Sequence, residues 1–97
     1  MGRIMRSAQA GTLESNDIMI TVTPGAPGSG TVIELESIVL LQYGEAIRQT
    51  LAAVVAETGI DDIYIKAVDR GALDCTIRAR MLAALARAGA VLKEDMA

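Results

Sequence analysis

The chain has no histidine, no phenylalanine and no tryptophan, and its 97 residues include two tyrosines and a single cysteine. Without an imidazole, no serine can be activated as a nucleophile by a Ser–His pair, so a hydrolase or acyltransferase centre of that kind is excluded. The shortage of aromatics removes the stacking platforms that single-stranded nucleic acid needs, and a formal charge of −3 offers no basic groove. That charge suits either simple solubility or docking on a basic protein surface. One cysteine, Cys75, cannot form an internal disulfide, and no Cys/His cluster has zinc-ligand spacing, so a reducing cytoplasm is expected and a metal is not. No apolar run reaches the roughly 18 residues of a membrane span, and "MGRIMRSAQAG" lacks an apolar segment of about 7 to 15 residues, so neither insertion nor export is expected.

What remains is a single small domain with an aliphatic core of Ala, Val, Ile and Leu. A chain of this length buries about 60 to 70% of its unfolded surface, enough to fold without staples. Residues 1–16 show no period and read as a flexible N-terminal arm, followed by one domain over 17–97. From Ile18, "IMITVT" is β-branched and apolar, "PGAPGSG" breaks it, and "TVIELES" alternates again, which predicts an antiparallel hairpin with a long glycine-rich loop. That loop is not read as a phosphate cradle, because no Lys-Ser/Thr pair follows and the next element is a strand.

Over residues 37–59 the spacing becomes helical, with Leu40, Tyr43, Ile47, Leu51, Val54 and Val55 on one face, Ser37 as N-cap and Gly59 as the stop. Gly44 weakens the first turns. Ile63, Ile65 and Ala67 then alternate in a third strand that ends at the turn signal Asp69-Arg70-Gly71. A second amphipathic helix over residues 75–92, capped by Asp74, carries Ile77, Met81, Leu85, Ala88 and Leu92 as its apolar stripe. These elements predict an α+β two-layer sandwich in ββαβα order, a three-stranded sheet packed by two helices, with the direction and neighbours of the third strand left open. The expected core is Ile20, Val32, Leu35, Ile47, Leu51, Val54, Ile65, Ile77, Met81 and Leu85.

Few residues offer chemistry. Ser15 reads, on its own, as a turn residue beside Thr12. Cys75 reads as a small buried residue, for want of the basic or histidine neighbour that makes a thiol reactive. Arg78, Arg80 and Arg87 read as a solvated helix face or as a docking surface for phosphates.

Three stretches nevertheless resemble one family over nearly the whole chain: "AGTLESNDIMI" (residues 10–20), "YGEAIRQTL" (residues 43–51) and "AVDRGALDCTIRARMLAALARA" (residues 67–88). They are similar to the acyl carrier protein of citrate lyase, its gamma subunit. The resemblance implies a non-catalytic carrier whose Ser15 holds 2'-(5''-phosphoribosyl)-3'-dephospho-CoA through a phosphodiester, the terminal thiol carrying acetyl or citryl as a thioester. It also implies three partners: the alpha (acyl transferase) subunit, the beta (citryl lyase) subunit, and the holo-ACP synthase that attaches the group. Glu14 and Asp17, flanking Ser15, are then expected to steer docking on a basic surface of that synthase. A citramalate lyase would use a similar carrier. The alternative from another class is a non-covalent scaffold in which Ser15 is only a turn residue.

Overall fold

The structure, a computed structural model, describes residues 2–90, with Leu40 and Leu41 described by their backbone alone. Leu40 and Leu92, placed on apolar faces from the sequence, lie outside the described side chains. Four strands and two helices follow in chain order: β1 (Ala8–Ala10), β2 (Ile18–Pro24), β3 (Thr31–Ser37), α1 (Leu40–Thr58), β4 (Ile63–Asp69) and α2 (Asp74–Arg87). The sheet order is β1-β2-β4-β3. β2 is antiparallel to β1 and β4, whereas β3 runs parallel to β4 with α1 as the crossover between them.

The two-layer α+β architecture is as expected, but two local expectations are corrected. β2 and β3 are not a hairpin, because β4 lies between them, pairing Val22 with Ile65 on one side and Ile33 with Ile65 on the other. A tight two-residue turn would have forced adjacency. The glycine-rich connection over residues 25–30 is instead long enough to cross an intervening strand, a gap of about 10 Å at two strand spacings. The sheet also gains a fourth strand from the segment read as a loose arm. Ala8–Ala10 pairs with β2 in register Ala8–Val22, Gln9–Thr21 and Ala10–Ile20, and Ile4 and Ala10 are buried. Arg87 fixes this edge by donating to the Gln9 carbonyl at 2.9 Å.

One face of the sheet packs on both helices. β2 contributes Ile18, Ile20 and Val22, and the central strand β4 contributes Ile63, Ile65 and Ala67, all fully buried. The period-2 pattern of both strands puts these residues on one side. From the helices come Ile47, Leu51, Val54 and Val55 on α1 and Ile77, Met81, Ala84, Leu85 and Ala88 on α2. Nine of the ten expected core residues are buried; the exception is Val32, 43% exposed. Val32 and Ile33 are consecutive on β3 and cannot share a face, and it is Ile33 and Leu35 that turn inward. Tyr43, expected on the inner face of α1, is also exposed. α1 runs through Gly44 and stops at Gly59, which adopts φ 71° and returns its N–H to the Val55 and Ala56 carbonyls.

The registers decide what lies where. Ile18 and Ser37 both oppose Asp69, so the start of β2, the ends of the parallel strands β3 and β4, and the starts of α1 and α2 gather at one end of the sheet. The loop over residues 25–30 and the start of β4 lie at the other.

Candidate functional site

Ser15 sits at the gathered end, exposed, in the second position of a β-turn over residues 14–17. The turn closes by donation from the Asp17 N–H to the Glu14 carbonyl at 3.2 Å, and Asn16 takes its left-handed position at φ 65°, a conformation asparagine tolerates better than most residues. Two backbone bonds pin the turn to the end of β4: Asn16 N–H to the Arg70 carbonyl at 2.8 Å, and Arg70 N–H to the Asp17 carbonyl at 2.9 Å. Before the turn, Gly11 adopts φ 93°, and a Cβ there would stand 1.8 Å from the Ile18 carbonyl oxygen. Only glycine allows that approach.

Side chains complete the support. Thr12 Oγ1 accepts from the Glu14 N–H at 3.2 Å and donates to Asp17 Oδ2 at 2.7 Å. Asp17 Oδ1 accepts from the Ile18 N–H at 2.8 Å. Arg80, reaching across from α2, donates to both carboxylate oxygens, Nε to Oδ1 at 3.0 Å and NH2 to Oδ2 at 3.1 Å, in a bidentate pair. These Arg80 bonds, and then the Thr12 bond, hold the Asp17 carboxyl well below the usual carboxylate range despite its burial, while Asp17 raises Arg80. Asp17 was expected to face a docking partner; it is instead buried, and its charge is spent inside the protein holding the turn. Glu14 and Ser15 remain exposed, and among the described residues nothing hydrogen-bonds the Ser15 hydroxyl.

The other expected residues fall as follows. Arg78 pairs with Glu57 and Arg80 with Asp17, while Arg87 donates to the Gln9 carbonyl, so each of the three α2 arginines has a partner within the protein. Cys75 is exposed at the start of α2, not buried. Asp74 is the first helical residue and not the cap, which is Leu73; its carboxylate accepts from Thr50 Oγ1. Ser37 precedes α1 by more than a cap position, yet its hydroxyl accepts the Val39 N–H at 3.1 Å and so serves the helix start.

Asp69, which sequence reasoning treated only as turn punctuation, is 1% exposed and organises this end. It accepts from Ser37 Oγ at 2.8 Å, from the Gly71 N–H at 3.1 Å and from the Ala72 N–H at 3.0 Å. An aspartate bonding the amides two and three residues ahead is an Asx-type turn, so "DRGA" carried a local signal that could have found it. Its effect is to join the β3–α1 junction to the β4–α2 turn. Between those two segments opens a cleft of about 360 Å³, walled by Val39, Ala46, Ile47, Ala72 and Ile77. Ile38, Tyr43 and Leu73 stand around this end, 67%, 57% and 70% exposed.

The fold is a small α+β domain that holds an exposed serine hydroxyl out on a turn fixed from β4 and α2. Residues 5–88 match the family described as malonate decarboxylase delta subunit, an acyl carrier protein family. Relatives named citrate lyase acyl carrier protein are 51% identical over 85 residues in Streptococcus uberis, covering 88% of this chain and 82% of that one, and 49% identical with the same coverage in Lacticaseibacillus casei. The chain belongs to the family of citrate lyase acyl carrier proteins. A crystal structure of a Pseudomonas malonate decarboxylase hetero-tetramer with malonate contains a chain of the same fold, at TM-score 0.75 and 20% identity, with 88% of this chain and 86% of that one covered.

Proposed function

We propose that the chain is the acyl carrier subunit of a citrate lyase, with phosphoribosyl-dephospho-coenzyme A joined to Ser15 through a phosphodiester. The observation that carries this reading is Ser15 itself, an exposed hydroxyl on a turn fixed by Gly11, Asp17, Arg70 and Arg80, in a chain of this family. The site fits the group. Esterifying a hydroxyl that serves no internal bond costs the fold nothing, and the exposed turn leaves room for a bulky phosphodiester. When bound, the arm supplies a terminal thiol that carries acetyl or citryl as a thioester.

The protein's own part is mechanical. The turn presents Ser15 at a fixed point, so that the arm sweeps a defined volume and meets both an acyl transferase and a citryl lyase subunit at high effective concentration. Glu14, exposed beside Ser15, offers the synthase a negative charge at the point of attachment; Asp17, paired internally, does not. A cytoplasmic location goes with this role, and no helix among the described residues is long and apolar enough to cross a membrane.

Ser15→Ala tests the reading directly. The variant should fold with a stability change below about 0.5 kcal/mol, as expected for an exposed position. Incubated with the modifying enzymes it should gain no mass, and with the catalytic subunits it should support no citrate cleavage, whereas Ser7→Ala and Ser29→Ala should be modified normally. Normal modification of Ser15→Ala, or cleavage without any covalent group, would replace the carrier with a non-covalent scaffold.

A further inference from the structure

The cleft adjoins the turn that carries Ser15. Gly71 belongs to its lining, and a Cβ on Gly71 would lie 3.7 Å from Asn16 Oδ1 on one side and 3.9 Å from Ile38 Cδ1 on the other. Gly71 thus lies between the turn that carries Ser15 and the cleft. The walls are mainly apolar, from Val39, Tyr43, Ala46, Ile47, Ala72, Leu73 and Ile77, and at about 360 Å³ the space is at the lower end of what small-molecule sites enclose. It can take the end of an arm with a two-carbon acyl group and not the whole of a coenzyme.

We propose that this cleft is the resting place for the acetylated end of the arm, an inference that depends on Ser15 being the attachment site. The two acids of the lining, Asp69 and Asp74, select what enters. Asp69 already accepts from Ser37, Gly71 and Ala72, and Asp74 from Thr50, and an ionised carboxylate has no proton to donate to a guest. What they add is negative charge at short range. A neutral acetyl thioester is accepted by the apolar walls, while a phosphate or an acyl group bearing carboxylates is repelled; the free thiol, mostly uncharged near neutral pH, lacks the acyl methyl that the walls would bury. The cleft therefore holds the stable, waiting form of the carrier and releases the citryl form to the catalytic subunits.

The test uses the full chain, modified and then acetylated, with intact mass establishing first that one group is on Ser15. Methyl resonances of Ile47 and Ile77 should shift between the deacylated and acetylated forms and show contacts to a labelled acetyl methyl, while Ile63, at the start of β4, should not move. Release of acetyl by hydroxylamine reads the same shelter kinetically. An arm sheltered about 90% of the time reacts about tenfold more slowly than a free one, so Ala46→Leu, which fills the cleft from the exposed side of α1, should accelerate release about tenfold. If the mass is right but the methyls stay still and Ala46→Leu reacts like the parent, the cleft assignment is overturned while the carrier reading stands. Shifts that appear only when a catalytic subunit is added, or that grow with protein concentration, overturn it equally, by giving the cleft to a partner side chain or a second copy. Absence of any mass gain at Ser15 removes the carrier reading first, and this inference with it.

Discussion

The two ends of the sheet are closed by different means. At the Ser15 end, charged and polar side chains far apart in sequence converge on the turns: Asp17 is held by Arg80, 63 residues away, and Asp69 by Ser37, 32 residues away. At the opposite end the closure is mostly backbone. The Gly25 N–H bonds the Asp62 carbonyl at 2.6 Å, Ser29 N–H turns back to Ala26, and Gly2 bridges to Ile60 with its N–H 2.7 Å from the Gly59 carbonyl. Side chains add exposed bonds there: Asp62 accepts from the Gly30 N–H at 2.9 Å, Ser7 donates to Thr23, and Tyr64 to Glu34. A backbone closure tolerates changes of side chain; a closure by convergent side chains fixes one position in space. The part-buried bonds of Asp17 and Asp69 lie at the end that carries Ser15.

The comparison can be broken with two glycines that share a left-handed conformation. Gly11→Ala, at the presenting end, forces a Cβ into the Ile18 carbonyl and should cost about 3 kcal/mol or more, together with most of the rate of modification. Gly28→Ala, at φ 83° with nothing within 4 Å of the added Cβ, should cost only the intrinsic penalty of about 1–2 kcal/mol and leave modification unchanged. Denaturant melts and intact-mass time courses on the two variants decide it; equal losses would mean that the two ends are built alike.

Between these in size lies Asp17→Asn, and pH gives it a signature. Arg80 holds the folded-state carboxyl below its ordinary range, so the stability Asp17 contributes is fully present above about pH 4 and is lost as pH falls toward the folded value. The gap in melting temperature between the parent and Asp17→Asn should therefore stay constant down to about pH 4 and narrow below it toward about pH 2. A gap independent of pH would show that Asp17 acts only through neutral hydrogen bonds. The smallest effect belongs to Glu14→Gln, which should leave stability within about 0.5 kcal/mol and slow modification only at low ionic strength. A slowing of equal size at high salt would assign Glu14 a direct contact with the synthase.

What could be read in the sequence divides along physical lines. β2, β4 and both helices repeat an apolar residue at a fixed period, and each such residue reports the face it buries; Leu51, Val54, Ile65 and Met81 are fully buried as that pattern requires. β1 is "AQA", too short to show a period, and only its pairing with Thr21 and Ile20 makes it a strand. Val32 misled because β3 is an edge strand, where an apolar side chain on the open face is tolerated. Ser15 stands out only through resemblance, since a serine in a turn has no chemical mark of its own. The partners that fix it were not found, because an ion pair between Asp17 and Arg80 leaves no trace at short range.

Cys75 has a practical bearing on every assay that follows the arm by its sulfur. It is exposed at the start of α2, the helix whose first turn borders the cleft. Under native conditions a thiol reagent applied to the loaded protein should therefore count two reactive sulfurs and not one, and an acetyl or fluorophore label meant for the arm will distribute between them. Work with Cys75→Ser protein, or digestion that separates the peptide around residue 15 from the peptide around residue 75, assigns each label to its own sulfur.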